Sequence, residues 1–140
     1  MTEEPSPAEA YIDDMVRRRG YVLEYHKLMA EADFEVLAAA NGLVDAAYLK
    51  PRLLDRQTKE LLFILSLTVM RASKEHIQSH MRVALEIGLT PAQLLEAIEI
   101  ALPEAGVVAF QWGLEAWAEV VEAPLLEPTP EPLDPRIPTP

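Results

Sequence analysis

From Leu61 to Met70 the chain reads LLFILSLTVM, apolar on nearly every side when wound as a helix. A helix that is hydrophobic all round has to be enclosed by other elements. Asp55, a favourable N-cap residue, stands just ahead of the run and sets the start of a helix over residues 56–71. The run is far shorter than the roughly 20 apolar residues that span a bilayer. It therefore predicts the central helix of a folded domain, and the rest of the chain must supply its walls.

The flanking segments are punctuated for that task. Ser6, Pro7 and Glu9 form a helix start with N-cap, first-position proline and capping-box acid. The helix they open runs to about Glu31, with Gly20 as a break point. Asp33 caps a segment over 34–49 with Phe34, Leu37, Ala40 and Val44 on one face, Gly42 as a kink point, and Pro51 beyond its end. Ser73 caps a helix over 74–87 that stops at Gly88. Thr90, Pro91 and Gln93 open the next, which is expected to end near Leu102 at Pro103, and a last helix covers 105–121. There is no sustained period-two alternation and no hairpin signal. The expected fold is all-α, a bundle of about six helices. Residues 1–6 read as a flexible N-terminus, 7–123 as the domain, and 124–140 as a proline-rich tail with seven prolines in 17 residues. That tail is either a solvated polyproline segment or an arm on a neighbouring subunit, anchored by Leu125, Leu126, Leu133 and Ile137.

Composition narrows the function. The net charge of −11 disfavours nucleic acid and anionic membrane surfaces as partners. With no cysteine, the chain holds no disulfide and no thiolate nucleophile. The opening MTEEPSPAEA has no apolar signal region, so a soluble, cytoplasmic protein is expected. No GxGxxG, Walker, GxSxG or EF-hand pattern is present.

Three residues remain as candidates for chemistry. Glu60 is an acid at the start of the apolar helix, and His76 and His80 lie four apart on one face of the next. His80 enters the core-facing stretch that continues through Met81, Val83 and Ala84, where a neutral imidazole suits acid–base work near pH 7. The same histidine pair has the spacing of two metal ligands, with Glu60 or Glu75 as a third, although Ile77 after His76 breaks the HExxH form. His26, among Tyr25, Leu28 and Met29, reads as a packing residue. Helices joined by a short connection run antiparallel. Glu60 and the histidines would then sit at opposite ends, unless the first helix bends or a symmetry mate intervenes.

The order of these features resembles the carboxymuconolactone decarboxylase family, which includes the alkylhydroperoxidase D (AhpD) proteins. The matching positions are Glu60-Leu61, His80, Ala84, Gly88-Leu89-Thr90, Glu96 and Gly106. The resemblance implies an AhpD-like helical fold assembled as trimers or hexamers, with pockets partly at subunit interfaces. Counting back from His80, Ser73 and His76 occupy the two cysteine positions of the peroxidase branch, so the thiol route to hydroperoxides is closed. The Tyr-x-Gly-x-Pro turn of the decarboxylase branch is replaced by Glu104-Ala105-Gly106-Val107-Val108.

The leading expectation is a cofactor-independent lyase, decarboxylase or proton-transfer enzyme for a small organic acid or lactone. His80 is its acid–base, Glu60 orients His80 or shares its proton, and His76 holds the substrate carboxylate. Two others stand beside it: a protein binding a divalent transition metal through His76 and His80, and a non-catalytic homo-oligomer that uses its tail for recognition.

Overall fold

The computed structural model describes residues 3–123 and 136 of the chain. The first helix, α1 (Pro7–Arg19), opens through a closed capping box. The Ser6 hydroxyl accepts from the Glu9 amide, and the Glu9 carboxylate accepts from the Ser6 amide. Gly20 ends α1 at φ 86°, a left-handed conformation that costs a side chain dearly. The chain re-enters helix as α2 (Glu24–Ala32), then as α3 (Phe34–Val44), which Asp33 caps and Gly42 does not interrupt. A π-helical turn, Asp45–Leu49, follows directly. It is closed by the Lys50 amide donating to the Asp45 carbonyl at 3.0 Å. Lys50 is extended, as a residue before proline must be.

The apolar run forms α4 (Arg56–Val69), and α5 (Lys74–Glu86) follows it, capped by Ser73 as expected. Thr90 and Gln93 close the capping box of α6 (Pro91–Glu99). The expected stop at Pro103 is displaced: the helix breaks at Ile100, and Pro103 lies inside a short α7 (Ala101–Ala105). It is tolerated because first-turn amides have no helical partner to lose. Gly106, at φ 90°, turns the chain into α8 (Val107–Val121). The described residues thus hold eight α-helices and no strand, where about six helices were anticipated. Breaks at Gly20 and Ile100 account for the difference. The fold is all-α, and none of its described helices is long and apolar enough to cross a membrane.

Helix α4 is central, touching α5, α6, α7, α8 and the π turn. Ile64 and Leu67 from α4 pack with Ile77, Met81 and Ala84 from α5, Leu94 and Ile98 from α6, and Ala116 from α8. Its enclosure is incomplete, however, since Leu62 and Met70 are 48% and 67% exposed. The expected face of α3 is also corrected. Phe34 and Ala40 are exposed, and the buried residues are Leu37 and Asn41, continuing to Tyr48 in the π turn. Asn41 is satisfied there, its amide donating to the Tyr11 hydroxyl at 3.1 Å. The tail over 124–140, apart from Arg136, and its four anchor residues lie outside the described residues.

Close approach of α8 to α4 depends on Gly113. A Cβ there would sit 2.5 Å from Thr68 Cγ2, 2.7 Å from Thr68 Oγ1 and 3.0 Å from Ile98 Cγ2. Thr68 is fully buried and has no room to yield. Gly113→Ala is expected to destabilise the fold by about 1–3 kcal/mol through overpacking, read as a fall in denaturation midpoint. A midpoint equal to that of the unaltered protein would show that the two helices can part freely.

Candidate functional site

Glu60 is a carboxylate at 0% exposure on the central helix of the domain. Such a group is tolerated only when its lone pairs are met. Its Oε2 lies 2.7 Å from His80 Nδ1, and its Oε1 accepts from the Tyr48 hydroxyl. Arg56, one turn earlier on α4, brings its Nε to 3.6 Å from Oε1 and donates from Nη2 to the Tyr48 oxygen at 3.2 Å. The Arg56 guanidinium also lies over the Tyr48 ring, 5.3 Å from its centroid. Three elements therefore converge on one carboxylate: the π turn, α4 and α5.

The anticipated conflict between antiparallel helices and a Glu60–His80 contact does not arise. Glu60 is in the second turn of α4 and His80 is midway along α5. Counted from the shared connection, their positions differ by about three residues, or roughly 5 Å of helix rise. The two side chains span that offset within one chain, with neither a bend nor a symmetry mate.

His80 is 1% exposed and enclosed by rings. Phe63 stacks on it with centroids 4.4 Å apart and an interplanar angle of 13°. Tyr21 lies at 4.8 Å and His76 at 5.5 Å. With Nδ1 committed to Glu60, the other ring nitrogen, Nε2, is buried and has no hydrogen-bond partner among the described residues. Burial pushes the Glu60 carboxyl up from its ordinary value, and the hydrogen bond and charge of His80 oppose that rise. His76 is half-buried and held below the usual histidine value by burial and by His80. Burial raises Tyr21 to about 12, so its phenol stays protonated near neutrality.

Of the candidate residues, Glu60, His76 and His80 are brought together. Glu75 is exposed, and among the described residues no group of three His, Asp or Glu side chains is arranged to hold a metal ion. Ser73 spends its hydroxyl on the His76 amide as a helix cap. Sequence reasoning missed Tyr48, Arg56, Phe63 and Tyr21. Arg56 was discoverable, since it stands four residues before Glu60 on the same helix. Tyr48 gave no such signal, because its reach depends on where the π turn lies against α4.

A shallow groove of about 370 Å³ runs beside the pair, lined by Ala47, Tyr48, Leu54, Leu62, Phe63 and Met70 among others. Glu60 and His80 do not line it, but Tyr48 and Phe63 separate it from them by one side chain.

These features define a class: an all-α domain with a buried carboxylate–imidazole pair on neighbouring central helices and no thiol. A model of the carboxymuconolactone decarboxylase family matches residues 35–119, well over half of the chain, and the protein belongs to that family. Among curated proteins none matches the chain.

His26 carries a separate, measurable consequence. It is 1% exposed, and burial, followed by the nearby charges of Arg19 and His76, lowers it from 6.5 to about 4. The unfolded chain then binds more protons than the native one between those values, so stability falls as pH drops from 6.5 towards 4. The full shift corresponds to about 3 kcal/mol. In His26→Gln this loss is expected to shrink by most of that amount, read from denaturant unfolding at several pH values. Identical profiles for the two proteins would show that His26 does not titrate in this window.

Proposed function

We propose that the protein is a cofactor-independent acid–base enzyme, a decarboxylase or proton-transfer catalyst for a small organic acid or lactone. The observation that carries this reading is the buried Nε2 of His80, unpartnered among the described residues and backed at Nδ1 by Glu60. With Nδ1–H donating to the carboxylate, Nε2 presents a lone pair. It can take a proton from a carbon beside a carbonyl and return it elsewhere. In a decarboxylation, the breaking C–C bond would leave its electron pair on a carbonyl-conjugated carbon. An imidazolium at His80, stabilised by Glu60, would then deliver the proton to that carbon. Tyr48 and Arg56 hold Glu60 in place as positioning residues, and His76 receives the substrate's carboxylate. The lack of any cysteine argues against thiol peroxidase chemistry in this chain.

His80→Gln is expected to lower turnover of a responsive lactone acid or keto acid by roughly 100- to 10,000-fold, followed as carbon dioxide release or as solvent deuterium incorporation. Tyr48→Phe should lower it less while leaving substrate affinity nearly intact. Undiminished turnover in His80→Gln would sink the acid–base reading. The second reading, a divalent transition metal on His76 and His80, draws on the same free Nε2 beside His76. Stoichiometric metal in the purified protein, lost in His76→Ala, would favour it instead.

The protein is further proposed to work as a homo-oligomer, a trimer or hexamer. Support comes from the apolar groove and from Leu53, Leu54, Leu62 and Met70, which are 48–104% exposed. Light scattering is expected to report a trimer or hexamer, with a smaller species for Leu62→Glu. A monomer at micromolar concentration would refute assembly through this face.

A further inference from the structure

His26 does more than cap a helix. It occupies the third position of α2, and its Nδ1 accepts the Leu23 amide at 3.0 Å, the bond a capping-box acid would make. That bond sets the tautomer: Nδ1 carries the lone pair, so the proton is on Nε2. The Nε2–H is buried and, among the described residues, has no acceptor. A buried donor left unmet is costly, and in a native fold it marks a place where an acceptor belongs.

The surroundings point to what that acceptor is. Arg19, 3% exposed, bears electrostatically on His26, so an oxygen carrying negative charge is favoured there, and His76 lies close enough to act on the same ring. His76 is also a ring neighbour of His80, at 5.5 Å. Tyr21 lies on His80 at 4.8 Å and interacts with Arg19 and Glu60. The start of the segment from Arg19 to His26 thus lies on α5, with Tyr21 on the His80 ring, and His26 follows five residues later. Val83, 3.0 Å from where a Cβ on Gly20 would be, seats the turn against that helix. This segment precedes the residues matched by the family model, which begin at 35. It adds to the acid–base pair a second buried imidazole of opposite character: His80 offers a lone pair and His26 offers a proton donor.

We propose that His26 is a substrate-binding residue, its Nε2–H donating to a carbonyl or carboxylate oxygen of the small acid or lactone whose proton His80 handles. The proposal rests on the acid–base reading given above for its ligand class. The segment Arg19–His26 is then a specificity element carried by this chain in front of its family core.

Two substitutions separate binding from capping. Gln at position 26 keeps an acceptor for the Leu23 amide and an N–H donor; Glu keeps the acceptor alone. Neutral γ-butyrolactone and a γ-butyrolactone carboxylate serve as probes on the full chain, with nitrogen NMR of the histidine rings as readout. In the unaltered protein, His26 is expected to show the Nε2–H tautomer, with its Nε2 resonance moving on addition of either probe. His26→Gln should bind the probes within about threefold of the unaltered protein, and His26→Glu at least about tenfold more weakly, including the uncharged lactone. Equal binding by the Glu variant, with its fold intact by circular dichroism, would reduce His26 to a cap and overturn the proposal. So would a His26 resonance that no probe moves, the mark of a donor met by fixed water. A His80→Gln protein that still turns over, while His26 responds to the probes, would instead remove the acid–base reading and leave His26 as a ligand contact.

Discussion

The structure depends on how one buried carboxylate is kept satisfied. Removing Glu60 from water costs several kcal/mol unless partners replace the solvent. Those partners come from three separate stretches: Tyr48 in the π turn, Arg56 on α4 itself, and His80 on α5. Each contact fixes the placement of the element that supplies it. Arg56 carries the constraint further, donating to the Arg19 carbonyl at 2.6 Å, while Arg19 pairs with Asp45 at 3.1 Å. The end of α1, the π turn and the start of α4 are therefore tied together by charge around a core that is otherwise aliphatic.

That arrangement gives His80 its chemical character. One nitrogen faces a carboxylate whose own position is held from the far side, and the other is buried in a ring that Phe63 and Tyr21 pack against. An imidazole in this setting is held in one orientation by the carboxylate and the stacked ring. The cysteine positions of the peroxidase branch are taken by a helix-capping serine and a half-buried histidine, so what remains of the candidate site here is the buried Glu60–His80 pair. Membership of the carboxymuconolactone decarboxylase family accounts for residues 35–119. Arg19 and Tyr21 stand in front of that span, yet Tyr21 lies on the His80 ring and the Arg19 carbonyl accepts from Arg56.

Much of the fold was legible in the residues. The caps at Ser6, Asp33, Asp55, Ser73 and Thr90 act as their side-chain chemistry dictates. The apolar run became the central helix, and His80 and Glu60 stood out as polar groups where a core was forming. The misreadings share one cause. Phe34 looked buried and is not, and Pro103 looked like a stop and is not. Each depends on what lies opposite, which local pattern does not encode.

The sequence by itself determined the helical class, the helix starts, the absence of any thiol and the choice of Glu60 and His80 as candidate residues. Those follow from side-chain type and from the 3.6-residue period, which act over a few neighbouring residues. Tertiary structure alone decided that Glu60 and His80 meet within one hairpin, that Tyr48 secures the carboxylate, and that Tyr21 comes to lie on the His80 ring. The contacts of Glu60 with Tyr48 and His80, and of His80 with Tyr21, join residues 12 to about 60 positions apart. Only the balance of burying a charge against satisfying it selects that packing.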